Sequence, residues 1–135
     1  MTSLDELHEV RTGHRAVAVR HVPNTLDVFV SHFPRFPVLP GVLILDDLVA
    51  VARLAVSGPD QPGTPPGSTP PWLLASIHRV RFRHFVQPGD SLEVTAEVLD
   101  HDPGSTVVRG VVRVDGRPVT TVGSLVLHRP EPDAT

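Results

Sequence analysis

The stretch GVLILDDLVAVARLAV, residues 41–56, has the length and the apolar content of a buried helix. Twelve of its sixteen residues are apolar, and its charged residues are Asp46, Asp47 and Arg53. A helix that is apolar almost all round must be covered on nearly all sides. The segment therefore predicts one central helix that the rest of the chain encloses.

Strand patterns follow this helix in the sequence. Four strands are predicted between residues 72 and 128, with turns at residues 87–90, 101–104 and 115–116. The Asp115-Gly116 pair is a strong hairpin signal. Because the four strands are consecutive, we expect an antiparallel meander.

The residues before the helix are less regular. Residues 14–22 alternate as a strand does. Residues 4–10 fit either a short capped helix or a strand that turns at Thr12-Gly13, and we favour the strand. About six strands with one buried helix predict a sheet wrapped around that helix.

Composition limits the classes of protein that fit. The chain has 135 residues and no cysteine, which predicts a single domain over residues 1–135 and excludes a disulfide framework, a thiolate zinc site and a cysteine nucleophile. All 12 basic residues are arginine, which excludes a Schiff-base or P-loop lysine. The net charge of -3 disfavours nucleic-acid binding.

The sequence has no signal-peptide pattern and no span of about 20 apolar residues, so we expect a cytoplasmic protein without a membrane partner.

A Pro/Gly-rich loop insertion is predicted at residues 57–71. Six prolines fall between Pro59 and Pro71, and this density excludes both helix and sheet. Long loops of this kind either flank a functional site or serve as passive tethers, and the sequence leaves both open.

Candidate catalytic residues lie near the start of the predicted helix. Prolines at positions 34, 37 and 40 stiffen the approach, and Gly41 opens the helix, where free N–H groups can polarise a carbonyl oxygen. His32 precedes this approach, and Asp46 lies one and a half turns into the helix. Two structural interpretations stay open. His32 fits a packing residue, and Asp46 with Asp47 fits a solvent-facing stripe of the helix. A carboxylate in apolar surroundings is costly unless it is paired or neutralised, however, and a neutral Asp46 would be a general acid with His32 as the general base.

This segment resembles the signature of the FabA/FabZ family of 3-hydroxyacyl-acyl-carrier-protein dehydratases. The family pattern is H-F-P-x-x-P-x-x-P-G-V-L, with an acidic residue fourteen positions after the histidine. Residues 32–46, HFPRFPVLPGVLILD, match it, and the acid is Asp46. Residues 81–90, RFRHFVQPGD, are similar to the family's R-F-[KR]-x-x-V-x-P-G-D stretch, and Asn24 with Phe29 resembles its approach to the histidine. The resemblance covers about residues 10–128, apart from the insertion.

The resemblance implies a hotdog fold of the α+β class, in which an antiparallel sheet wraps around one long buried central helix. It implies that His32 removes the proton α to a thioester, that Asp46 protonates the departing β-hydroxyl, and that the Gly41 backbone N–H polarises the thioester carbonyl. The reaction would convert an (R)-3-hydroxyacyl thioester on the phosphopantetheine of an acyl carrier protein into a trans-2-enoyl thioester. No metal and no other cofactor is expected. The chain would act as a homodimer, or as a heterodimer with a related hotdog subunit.

Several positions depart from the family pattern. Asp46 stands where the FabZ branch has glutamate, Ala50 where glutamine is usual, Ser31 where glycine is usual, and Thr25 where glutamate is usual. These departures favour polyketide or other secondary-metabolite assembly over fatty-acid synthesis. The alternatives are a non-catalytic or half-catalytic hotdog subunit that partners a related dehydratase, and an enoyl isomerase. A thioesterase does not need this histidine–acid pair.

Arg79, Arg81 and Arg83 alternate along one predicted strand and so share one face of the sheet. Carrier proteins are acidic, which makes this face, with Arg35 near the entrance, a candidate docking surface. A solvated strand face explains the pattern equally well. The other histidines lack metal-ligand spacing, and we expect them to be surface or packing residues. They are His8, His14, His21, His78, His84, His101 and His128.

Overall fold

Six strands and one helix form the part of the chain that the structure, a computed structural model, describes: residues 4–22, 39–58 and 72–129. His32, Arg35 and residues 59–71 of the insertion lie outside these ranges. The elements are β1 (Glu6–Arg11), β2 (Arg15–His21), α1 (Gly41–Ser57), β3 (Leu73–Phe82), β4 (Ser91–Asp102), β5 (Ser105–Val114) and β6 (Arg117–His128).

The strands pair in one antiparallel sheet with the order β1-β2-β4-β5-β6-β3. The strand interpretation of the first residues is confirmed by β1 and β2. Their connection turns at Gly13, which has a φ of 84°. The Asp115-Gly116 hairpin is also confirmed, since both residues have the positive φ angles, 52° and 80°, that a tight two-residue turn requires.

The predicted four-strand meander is wrong at β3, which pairs with β6 and not with β4. The cause is the connection from residue 83 to residue 90, which is bonded to other parts of the chain. Val86 accepts a hydrogen bond from the Leu39 amide at 2.7 Å, and Gly89 and Asp90 bond to the main chain of Val22 at 2.8 and 2.9 Å. These bonds carry the chain past the start of α1 to the end of β2. As a result β4 pairs with β2, and β3 forms an edge of the sheet.

The helix packs closely on the sheet because the strands beneath it carry small residues. Ala16, Ala18 and Ala96 are fully buried. On β5 a Cβ atom added at Gly110 would lie 2.5 Å from Cδ2 of Leu48, a helix residue that is itself 1% exposed. A side chain at position 110 would therefore push α1 away from the sheet.

The expectation that α1 is covered on nearly all sides is wrong for the single chain. The sheet covers one side of the helix, because a single layer contacts only one face. Val42 is 64% exposed, and Asp46 and Arg53 are exposed as well. These three residues lie within about 40° of one another around the helix axis, and we refer to them as the open stripe.

Gly110→Ala should lower the free energy of unfolding by about 1–3 kcal/mol, because the new methyl group displaces Leu48 from a closely packed core. Urea unfolding measures the change. The matched control is Gly104→Ala, where the nearest atom to an added Cβ is 3.9 Å away. The control should change stability by no more than about 0.5 kcal/mol. Equal losses in the two variants would contradict the packing of α1 on β5.

Candidate active site

No side chain caps the start of α1 with a hydrogen bond. Gly41 is the first helical residue, as predicted, and Pro40 occupies the N-cap with φ of −59° and ψ of 141° and no side-chain hydrogen bond. The first amides of a helix precede its internal hydrogen bonds. The Gly41 end therefore presents backbone N–H groups that a carbonyl oxygen can use.

The ring of Phe82 lies directly against Gly41. A Cβ atom added at position 41 would come within 2.6 Å of Cζ of Phe82, so glycine is needed for this contact. Phe82 is nonetheless 53% exposed and borders a cavity of about 310 Å³ lined by Phe82, Arg83, His84 and Phe85. The contact brings the helix start at Gly41 to the end of β3.

The two neighbouring aspartates of α1 have opposite environments. Asp46 is exposed on the open stripe, whereas Asp47 is 2% exposed and faces the sheet. Arg20 of β2 donates a hydrogen bond from Nε to Oδ2 of Asp47 at 2.6 Å. Burial raises the pKa of the Asp47 carboxyl above its ordinary value, and the bond and charge of Arg20 oppose part of that rise.

The sequence predicts apolar surroundings for the carboxylate of Asp46. In the structure Asp46 is exposed, and the buried carboxylate is that of Asp47. Sequence reasoning did not identify Arg20 as its partner. The signal was present, because Arg20 alternates onto the same face of β2 as Ala16 and Ala18, which are buried. His32 lies outside the described residues, so its pairing with Asp46 stays a prediction.

The predicted arginines share one face of the sheet, and this expectation is confirmed. They line a groove of about 580 Å³ on the side of the sheet opposite to α1, which we call the outer groove. Its floor includes Thr121 and Gly123 of β6. Its arginines come from the two strands that flank β6 and from the residue after β3: Arg79 and Arg81 lie on β3, Arg83 directly follows its end, and Arg109 and Arg113 lie on β5.

Most of this positive charge has no neutralising partner. Arg109 bonds to Glu97 at 3.2 Å, whereas the other four arginines of the outer groove form no ion pair within the described parts of the chain. Sequence reasoning missed Arg109 and Arg113. Their placement beside β3 depends on the strand order β5-β6-β3, which the expected meander did not contain.

In residues 4–22, 39–58 and 72–129 there is no group of three or more histidine, cysteine or acidic side chains placed to hold a metal ion. None of the helical structure in these same ranges is long and apolar enough to span a bilayer.

Comparison with known proteins identifies the family. The family model described as ApeI-like, ApeI dehydratase, matches residues 8–106. The chain is 32% identical over 130 residues to the 3-hydroxyacyl-[acyl-carrier-protein] dehydratase FabZ of Granulibacter bethesdensis, which covers 96% of this chain and 75% of that protein. The chain belongs to the ApeI-like dehydratase family.

Two further proteins similar to this chain are also named as dehydratases. FabZ of Halalkalibacterium halodurans is 34% identical over 116 residues, covering 86% of this chain and 79% of that protein. The dehydratase heterocomplex ApeI:P from Xenorhabdus doucetiae aligns with a TM-score of 0.67 and 28% identity, over 94% of this chain and 99% of the matched chain. The ApeI-like chain is a hydro-lyase with the predicted hotdog fold, in which one helix packs on a six-stranded antiparallel sheet.

Proposed function

We propose that the chain removes water from (R)-3-hydroxyacyl thioesters on an acyl carrier protein and releases trans-2-enoyl thioesters. The observation that carries this proposal is the position of Asp46. It lies on the open stripe, about one and a half turns from the bare helix start at Gly41. The spacing in the family signature supports His32, fourteen residues earlier, as its partner.

In the proposed mechanism His32 takes the proton from the carbon α to the thioester. The Gly41 N–H stabilises the negative charge that develops on the thioester oxygen. Asp46 acts as the general acid and gives a proton to the β-hydroxyl as the carbon–oxygen bond breaks, so the hydroxyl leaves as water and the α–β double bond forms. The proton on His32 and the charge on Asp46 then return to their starting states through solvent. The steps use only side chains and backbone of the protein.

A second hotdog subunit completes the site in this proposal. The single chain leaves the open stripe uncovered, and β3 is an edge strand with exposed Leu73 and Leu74. An unpaired strand edge beside apolar side chains is a surface on which another sheet can pair. The partner is a second copy or a related subunit. The heterocomplex ApeI:P supports the second option for this chain.

The pathway we propose is polyketide or other secondary-metabolite assembly. Asp46 in place of glutamate and Ala50 in place of glutamine support this setting over general fatty-acid synthesis. Ala50 also supports a second candidate, a half-catalytic subunit that stabilises a related dehydratase. The cytoplasmic location stays a prediction.

His32→Ala and Asp46→Asn should each reduce the rate of water loss at least about 100-fold, because each removes a proton-transfer group. The measurement follows the mass of a 3-hydroxyacyl carrier protein during incubation with the purified protein. The matched controls are His14→Ala and Asp100→Asn, which change exposed residues away from the Gly41 end of α1 and should keep the wild-type rate.

Full activity of Asp46→Asn would overturn the acid assignment. A wild-type protein that is inactive alone but activates a related dehydratase would favour the half-catalytic subunit. A product with a shifted double bond would identify an isomerase.

The outer groove is the carrier-docking surface in this proposal. Five arginines face one glutamate there, although the whole chain carries a net charge of -3. Rows of guanidinium groups on β3 and β5 flank β6 at a separation of about 10 Å, which suits an acidic helix lying between them. Arg83 lines both the outer groove and the cavity beside Phe82, so it connects the docking surface with the helix start. Arg35 stays a predicted contributor.

The double substitution Arg81→Glu/Arg83→Glu should raise KM for carrier-bound substrate about 10-fold or more, because it reverses two charges that face the acidic carrier. It should leave KM for the same acyl group on free pantetheine unchanged. Steady-state kinetics with both substrates separates the effects. Arg11→Glu/Arg117→Glu, at two exposed arginines that do not line the outer groove, is the charge-matched control. An unchanged KM for the carrier-bound substrate would remove the docking role.

A further inference from the structure

The buried ion pair between Arg20 and Asp47 has no part in the proposed proton transfers. It joins β2 to α1 across the core, with side chains that are 7% and 2% exposed. Asp47 directly follows Asp46, so the pair is anchored one residue from the proposed general acid. An interaction at this point controls which way the neighbouring carboxylate faces.

Apolar packing orients α1 on the sheet. Ile44, Leu48 and Ala52 are at most 2% exposed, whereas Val42 on the other side is 64% exposed. A rotation of about 100° would bring each helix residue to the place of its neighbour, so Asp46 would take the place of Asp47 and Asp47 that of Leu48. The contact of Leu48 with Gly110 opposes this rotation. The ion pair adds to that packing, because the rotation would also carry Asp47 away from Arg20.

The ion pair is a costly way to gain stability alone. Nη2 of Arg20 is buried and forms no hydrogen bond within the described residues, so part of the guanidinium loses its hydration without compensation. Replacing a buried ion pair by apolar side chains of similar size is often neutral or stabilising. What the pair supplies is directional, because the bond from Arg20 holds Asp47 toward β2 and so sets the direction in which the preceding residue, Asp46, faces.

We propose that Arg20 and Asp47 are positioning residues that, together with the apolar packing, hold the rotation of α1, so that Asp47 faces the sheet and Asp46 faces the open stripe. The consequence for catalysis rests on the proposed function, whereas the rotational role does not. Arg20 holds the second of two adjacent carboxylates in the interior. The other is left at the surface where a substrate can reach it.

The first experiment replaces the pair by apolar residues in Arg20→Met/Asp47→Leu. We expect Tm to stay within about 5 °C of the wild type, whereas kcat falls about 10- to 100-fold with KM within a factor of about 3, because the acid is misplaced after the substrate has bound. Arg20→Lys keeps the charge and should retain kcat within about threefold. The matched control is Thr120→Val, which replaces another buried, unpaired polar group and should keep the wild-type kcat. Wild-type kcat in the apolar double variant would overturn the positioning role.

The second experiment does not depend on dehydratase activity. The chain has no cysteine, so a single introduced thiol is a unique probe of the helix surface. With the pair intact, Asp46→Cys should react with a small alkylating reagent much faster than Ile44→Cys, whose position is 2% exposed. In the Arg20→Met/Asp47→Leu background the ratio of the two rates should fall at least about tenfold.

An unchanged ratio of labelling rates would overturn the inference, whatever the kinetics show. If the wild-type protein does not dehydrate its substrate, the proposed function fails, and the labelling ratio alone decides the positioning role. Failure of the double variant to fold would show that the pair is needed for stability and would also overturn the inference as stated.

Discussion

The close packing of α1 on the sheet is the constraint on which the rest of the molecule depends. Leu48 lies against Gly110 of β5, over strands that carry alanines at the interface. A single sheet can cover only one side of this helix. The opposite side keeps Val42, Asp46 and Arg53 exposed, and that open stripe is the surface on which we place both the general acid and the second subunit.

Two further contacts set the geometry at the start of the helix. Phe82 packs against the bare Cα of Gly41, so the helix start and the end of β3 meet at one place in the fold. Arg20 holds Asp47 inside, one residue beyond Asp46. The two aspartates are chemically identical, and their different environments come entirely from the elements that contact each of them. Side-chain placement in α1 therefore depends on β2 and β3 as much as on the helix itself.

Local patterns in the sequence predict most of the elements and few of their long-range relations. The helix predicted at residues 41–56 is observed as Gly41–Ser57, and the turns at Gly13 and Asp115-Gly116 are where the pattern places them. The partner of β3 was not predictable, because residues 83–90 look like a turn between neighbouring strands. Their bonds to Leu39 and Val22 exist only in the folded chain. The burial of Asp47 and the contribution of β5 to the outer groove also depend on tertiary structure, and the local sequence pattern therefore did not predict them.

A mixed dimer tests most directly whether two subunits share each site. One copy carries His32→Ala and the other Asp46→Asn, with different affinity tags so that only mixed dimers are purified. If each site takes its histidine and its acid from different subunits, a mixed dimer contains one intact site and one doubly defective site. It should then show about half the wild-type rate, although each variant alone is inactive. A mixed dimer that forms but stays as inactive as its parents, beside an active wild type, would place both residues of a site in one chain and contradict the shared site.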